Sequence, residues 1–125
     1  FRELNPPPTR RIPVLLGGGG EKKTLRLVAR HADIWHSFAQ GEDLARKIEL
    51  LRAHCVTEER DFDEIEISAS VSAPLGEAQM PSPQTQGEKL RALGVTLFTR
   101  GLSGPDYDMS GLDAWLAWRD QVNGD

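Results

Sequence analysis

The chain has 125 residues, with 15 basic and 19 acidic side chains and a formal net charge of −4. That is enough chain for one ordinary domain with a core, and its charge gives no basic face of the kind nucleic acid requires. No run of about 18 apolar residues marks a membrane span, so no membrane partner is expected.

Residues 1–11 read as a linker, because Pro6-Pro7-Pro8 fixes an extended backbone. Ile12-Pro13-Val14-Leu15-Leu16 is a short apolar run ended by glycines, as expected for a strand buried on both faces. After Gly17-Gly18-Gly19-Gly20 the period changes: Leu25, Val28, Ala29 and Ala32 fall on one helical face. Asp33 to Phe38 reads as a second strand. A helix follows the turn at Gln40-Gly41, with Glu42-Asp43 in its first turn and Leu44, Ile48, Leu51 and Cys55 as its apolar stripe. Arg60 to Asp63 is a loop, and Glu64 to Val71 alternates as a strand with unlike faces, placing Glu64 and Glu66 together. Residues 72–87, rich in Pro, Gly, Ser and Gln, read as a flexible surface loop. A short helix over 88–93 stops at Gly94, a fourth strand covers Val95 to Thr99, and a last helix starts at Leu112.

Four strand–helix units imply an α/β protein with a parallel sheet and right-handed crossovers. Two architectures share this rhythm: a small doubly wound sheet, or half of a TIM (β/α)8 barrel, which needs about 250 residues in full. A free half-barrel leaves two strand edges open. The start at Phe1, without Met or a signal-peptide pattern, is expected for part of a longer chain. A single Cys forms no internal disulfide and suits a reducing, cytoplasmic setting.

The glycine run carries the strongest chemical signal. Between a strand and a helix, Gly17, Gly18, Gly19 and Gly20 let backbone approach a ligand closely. Glu21 and Thr24, with Lys22 and Lys23, open the helix whose free N–H groups suit a phosphate. A Walker loop requires Gly where Lys22 stands, and so does a dinucleotide fingerprint. His36, at a strand end, is a candidate to contact coenzyme or substrate, set against a plain polar loop residue. Trp35 is read as core or as the wall of a ring pocket, and Arg100 as a contact for an anionic group. His31 suits the helix dipole. His54 reads as a surface residue beside buried Cys55, and no metal set is expected.

Asn5-Pro6-Pro7-Pro8 followed by Ile12 through Trp35, including Leu16-Gly17-Gly18-Gly19-Gly20-Glu21-Lys22-Lys23-Thr24, resembles the luciferase-like oxidoreductases, and most nearly their branch that uses the deazaflavin coenzyme F420. Gly104-Pro105-Asp106-Tyr107-Asp108 and Trp115-Leu116-Ala117-Trp118-Arg119-Asp120 are similar to the same branch. The resemblance implies the C-terminal half of a (β/α)8 barrel and a coenzyme at the C-terminal strand ends. It also implies hydride transfer to or from a small organic substrate. FMN is the alternative coenzyme, with monooxygenase chemistry. A non-catalytic half-barrel that binds a phosphate ligand is the alternative of another class. With the first half absent, the chain alone is expected to be inactive, and a homo-oligomer or partner chain is expected to complete the barrel.

Overall fold

The computed structural model describes residues 7–71, 82–101, 107, 109 and 111–124. Their order is β1 (Leu15–Gly17), α1 (Thr24–His31), β2 (Ile34–Ser37), α2 (Gly41–Thr57), β3 (Glu66–Ser70), α3 (Glu88–Ala92), β4 (Val95–Thr99) and α4 (Leu112–Gly124). A 3-10 turn at Phe62–Glu64 precedes β3, and a π-helical turn at Pro83–Gly87 runs into α3.

The strands form one parallel sheet in the order β1-β2-β3-β4. A doubly wound sheet reverses direction at a switch point. This sheet does not, and right-handed crossovers then place the helices on a single face. That face is apolar. Trp35, Ile67, Ala69 and Val95 are buried there with Leu25, Val28 and Ala29 of α1 and Leu44, Ile48, Leu51 and Cys55 of α2. An irregularity at Ile67/Ser68 pairs Ile67 with Val95 and Ser68 with Leu97, so Thr96 is the extra residue. The bulge lets Val95 and Phe98 both face the helices, where Phe98 meets Trp115 and Trp118 at 6.1 and 5.3 Å between ring centres.

Several expectations change. The first strand is not buried on both faces: Val14 and Leu15 are 45% and 51% exposed, because β1 is an edge with one neighbour. The strand also starts later than Ile12. Pro13 has no N–H, the Val14 N–H goes to Asp33 Oδ2 at 2.8 Å, and regular pairing begins at Leu15. Glu64 and Glu66 do not share a strand face. Asp61 accepts from the Asp63 N–H at 3.0 Å and holds a turn that takes Glu64 out of the strand. Glu64 pairs with Arg60 at 2.5 Å, while Glu66 accepts from Thr96 Oγ1 at 3.0 Å. Of the loop expected over 72–87, residues 72–81 lie outside the described ones, and Pro83 to Gly87 are helical. Residues 1–6 of the linker also lie outside.

Gly87 packs beneath α4, and a Cβ there would sit 2.9 Å from Trp118 Cη2 and 3.2 Å from Trp115 Cζ3. Both rings are rigid and buried, so Gly87→Ala is expected to destabilise the chain by about 1–3 kcal/mol through overpacking. A urea titration measures this. An unchanged midpoint would show that α4 does not press on Gly87 in solution.

Candidate functional site

The glycine loop joins β1 to α1, and its shape follows from where its carbonyl groups are held. Gly18, at φ +123°, receives a bond from the Trp35 Nε1–H at 2.8 Å on its oxygen. The Gly19 oxygen accepts from Lys47 Nζ at 2.9 Å. The Gly20 oxygen accepts from the Leu25 N–H at 3.0 Å. The Glu21 oxygen accepts from His54 Nε2 at 2.7 Å. A carbonyl only accepts, so this last bond places the His54 proton on Nε2.

In a trans peptide the C=O and the following N–H point in opposite directions. Four consecutive carbonyls held by bonds from the surrounding elements therefore turn the N–H groups that follow them, those of Gly19, Gly20, Glu21 and Lys22, away from those donors. Among the described residues, no hydrogen bond engages these groups or the N–H of Lys23 and Thr24. The Gly18 N–H is spent on the His36 oxygen at 3.1 Å. Close packing bears on Gly20, where a Cβ would lie 2.7 Å from Thr24 Oγ1.

Charge beneath the loop is balanced. Lys47, 13% exposed, lies 3.4 Å from Glu21 Oε1 and 3.9 Å from Asp43 Oδ2, and Arg46 binds the same Glu21 oxygen at 2.7 Å. The Arg46 hydrogen bond, helped by Lys47, holds the Glu21 carboxyl below its ordinary value of 4.5. Farther along, Arg26 and then Arg30 do the same for Glu58, tying α1 to the end of α2.

Most of the residues singled out in the sequence lie in or beside the loop. Gly17 ends β1 opposite His36 of β2. Thr24 begins α1 against Gly20. The Glu21 side chain is committed to α2, which leaves its N–H to the loop. His36 lies on the sheet face away from the helices, where Ser68 and Ser70 flank its ring at 2.9 and 3.3 Å. Trp35 is core and anchors the loop as well. His54, read as a surface residue, is half-buried and anchors the Glu21 oxygen. Arg100 stands apart, at the opposite edge of the sheet, in a cleft of about 520 Å³ between β4 and α4.

Sequence reasoning did not find Lys47 as an anchor, nor the hydroxyls of Ser68, Ser70 and Thr99. A weak signal existed for Lys47 and His54, which are spaced i and i+7 beside the apolar stripe of α2.

A model of the luciferase-like monooxygenase family matches residues 2–79, more than half of the chain and all of the loop. The chain belongs to this luciferase-like family. It is also similar to a riboflavin lyase whose crystal structure contains a modified FMN and its substrate riboflavin. Identity is 20% and the TM-score 0.41, over 63% of this chain and 17% of the lyase. This luciferase-like chain thus spans about a sixth of that protein's length. No curated protein matches it.

Because the Glu21 and Glu58 carboxyls titrate lower when folded, their contribution is full above pH 4.5 and is lost as pH falls through the lowered folded values. The urea midpoint of the chain is expected to drop on acidification below that point. In Glu21→Gln and Glu58→Gln the drop is expected to be shallower. Parallel curves for all three proteins would show that these pairs do not form in solution.

Proposed function

We propose that this chain is the C-terminal part of a luciferase-like oxidoreductase and that its glycine loop binds the phosphate of a flavin-type coenzyme. The observation that carries the reading is the run of N–H groups from Gly19 to Lys22, which no hydrogen bond among the described residues engages while the four carbonyls before them are anchored. Such a run, continued by the positive end of α1, suits an oxyanion. Lys22 and Lys23 add positive charge at the same turn. The sequential strand order suits half of a barrel, with β1 and β4 as the edges that a second copy, another chain or further sequence would cover.

Coenzyme F420 is the group we assign, on the resemblance of the loop and the C-terminal segment to that branch. FMN offers the same phosphate chemistry to the loop. When bound, the coenzyme supplies the hydride transfer. The residues of this chain bind its phosphate (the N–H groups of Gly19 to Lys22), keep that loop rigid (Trp35, Lys47 and His54) and offer His36 to the coenzyme or its small organic substrate. Residues from outside the chain are needed for turnover, because a barrel site draws on the ends of several strands.

Amide spectra of the chain titrated with FMN, riboflavin and F420 test the reading. FMN is expected to shift the Gly19 to Thr24 amides at concentrations about tenfold lower than riboflavin, which lacks the phosphate; charge-assisted hydrogen bonds are worth about that much. Gly19→Val, whose side chain meets Lys47 Cε, is expected to abolish the difference. Riboflavin binding as tight as FMN binding would sink the assignment of the loop. Tighter binding of FMN than of F420 would replace the coenzyme.

A further inference from the structure

Across the sheet face turned away from the helices, side chains of three strands form a chain of hydrogen bonds. His36 Nδ1 lies 2.9 Å from Ser68 Oγ and His36 Nε2 lies 3.3 Å from Ser70 Oγ. Ser70 Oγ lies 3.1 Å from Thr99 Oγ1. Ser68 is fully buried, Ser70 partly, and Thr99 is exposed, so the chain leads from the interior to the surface. Among the described residues no charged side chain bonds to His36. Glu66, the acid of this face nearest in register, is bonded to Thr96.

The partners of this histidine matter because they are hydroxyls. A carbonyl or carboxylate only accepts, and it locks an imidazole into one tautomer, as the Glu21 oxygen locks His54. A hydroxyl donates or accepts by rotating. With one at each nitrogen, His36 satisfies both bonds in either neutral tautomer and as the cation. Beside it stands Phe38, 73% exposed, edge-on to the imidazole at 4.9 Å and 81°. The Phe38 ring edge comes 4.0 Å from where a Gly17 Cβ would lie, so it borders the glycine loop.

We propose that His36 is a proton-handling residue that exchanges a proton with a ligand at this end of the sheet through Ser70 and Thr99, and that Ser68 is its positioning residue. The ligand class is a molecule with an aromatic ring, stacked on Phe38, and an ionisable O–H or N–H within reach of the hydroxyls. The placing of the ligand rests on the coenzyme reading above; the tautomer property of His36 does not. In the inward step Ser70 gives its proton to Nε2 and takes one from Thr99, which takes one from the ligand. Each hydroxyl ends with the single proton it began with, the ring gains one, and no electrons move.

Long-range nitrogen–proton correlation spectra of the 125-residue chain report the proton on each ring nitrogen without any ligand. The wild type is expected to show both tautomers in comparable amounts when the ring is neutral. Ser68→Ala and Ser70→Ala are each expected to move the ratio by about threefold or more, the size of one hydrogen bond's net contribution. Ser70 is the less buried of the two, so its variant keeps the test alive if Ser68→Ala does not fold. One dominant tautomer in the wild type, or a ratio indifferent to both variants, would overturn the proposal. Thr99→Val is expected to slow exchange of the ring N–H with water, and an unchanged rate would remove Thr99 as the outlet. Added FMN then separates the two readings. If it shifts neither the loop amides nor His36, the coenzyme assignment fails and the relay must find another ligand. If it shifts the loop amides and leaves His36 untouched, the exchange with that ligand is wrong.

Discussion

Four hydrogen bonds to four successive carbonyl oxygens hold the β1–α1 loop in shape, and the rest of the site depends on them. Their donors come from β2 (Trp35), α2 (Lys47 and His54) and α1 (the Leu25 N–H). A glycine run on its own is the most mobile backbone available, with the greatest entropy to lose on ordering. Here the surrounding elements supply the order. Because α2 provides two of the donors, the loop is only as fixed as the packing of α2 on α1. That packing comes from Leu44, Ile48, Leu51 and Cys55 against Leu25, Val28 and Ala29, reinforced by Glu58 reaching Arg26 and Arg30. The core is thereby part of the site.

The same order of elements leaves surfaces unfinished. A singly wound sheet buries one face under its own helices and leaves the other face and both edges to be covered. Apolar side chains are exposed just before and at the start of β1, at Ile12, Val14 and Leu15, and a cleft lined by Val95, Phe98, Trp115 and Leu116 opens beside β4. A closed barrel abolishes both edges at once. The polar side chains His36, Ser70 and Thr99 sit toward the C-terminal ends of their strands, the end at which barrel enzymes place their chemistry.

How much of this was legible in the sequence depended on the range of the signal. The faces of α1 and α2 were readable, since Leu25, Val28 and Ala29, and Leu44, Ile48, Leu51 and Cys55, are local patterns of period near 3.6. The strand at Val95 to Thr99 was equally plain, with Gly94 before it at φ +92°. The sheet order, which decides between doubly wound and singly wound, is not written in any local pattern. Nor were the loop anchors: Lys47 and His54 lie 28 and 33 residues from the carbonyls they hold. On its helix Lys47 looks like any solvated cation. The Glu64–Glu66 pairing failed for a local reason, the Asp61 turn, whose side-chain bond outweighed an alternating strand pattern.

One register links the loop to the histidine. Along a strand, successive side chains face opposite sides, so Trp35 and His36 cannot both point to the helices. With Leu16 opposite Trp35 and Gly17 opposite His36, the tryptophan enters the core and reaches the Gly18 oxygen, while the imidazole stands on the other face among the hydroxyls of β3. A slip of one residue would exchange them, withdrawing the donor from the loop and burying the imidazole under α1 and α2. The Trp35 anchor of the loop and the hydroxyl-flanked histidine are therefore two consequences of a single strand pairing. The burial of Trp35, completely enclosed among apolar neighbours, sets that pairing.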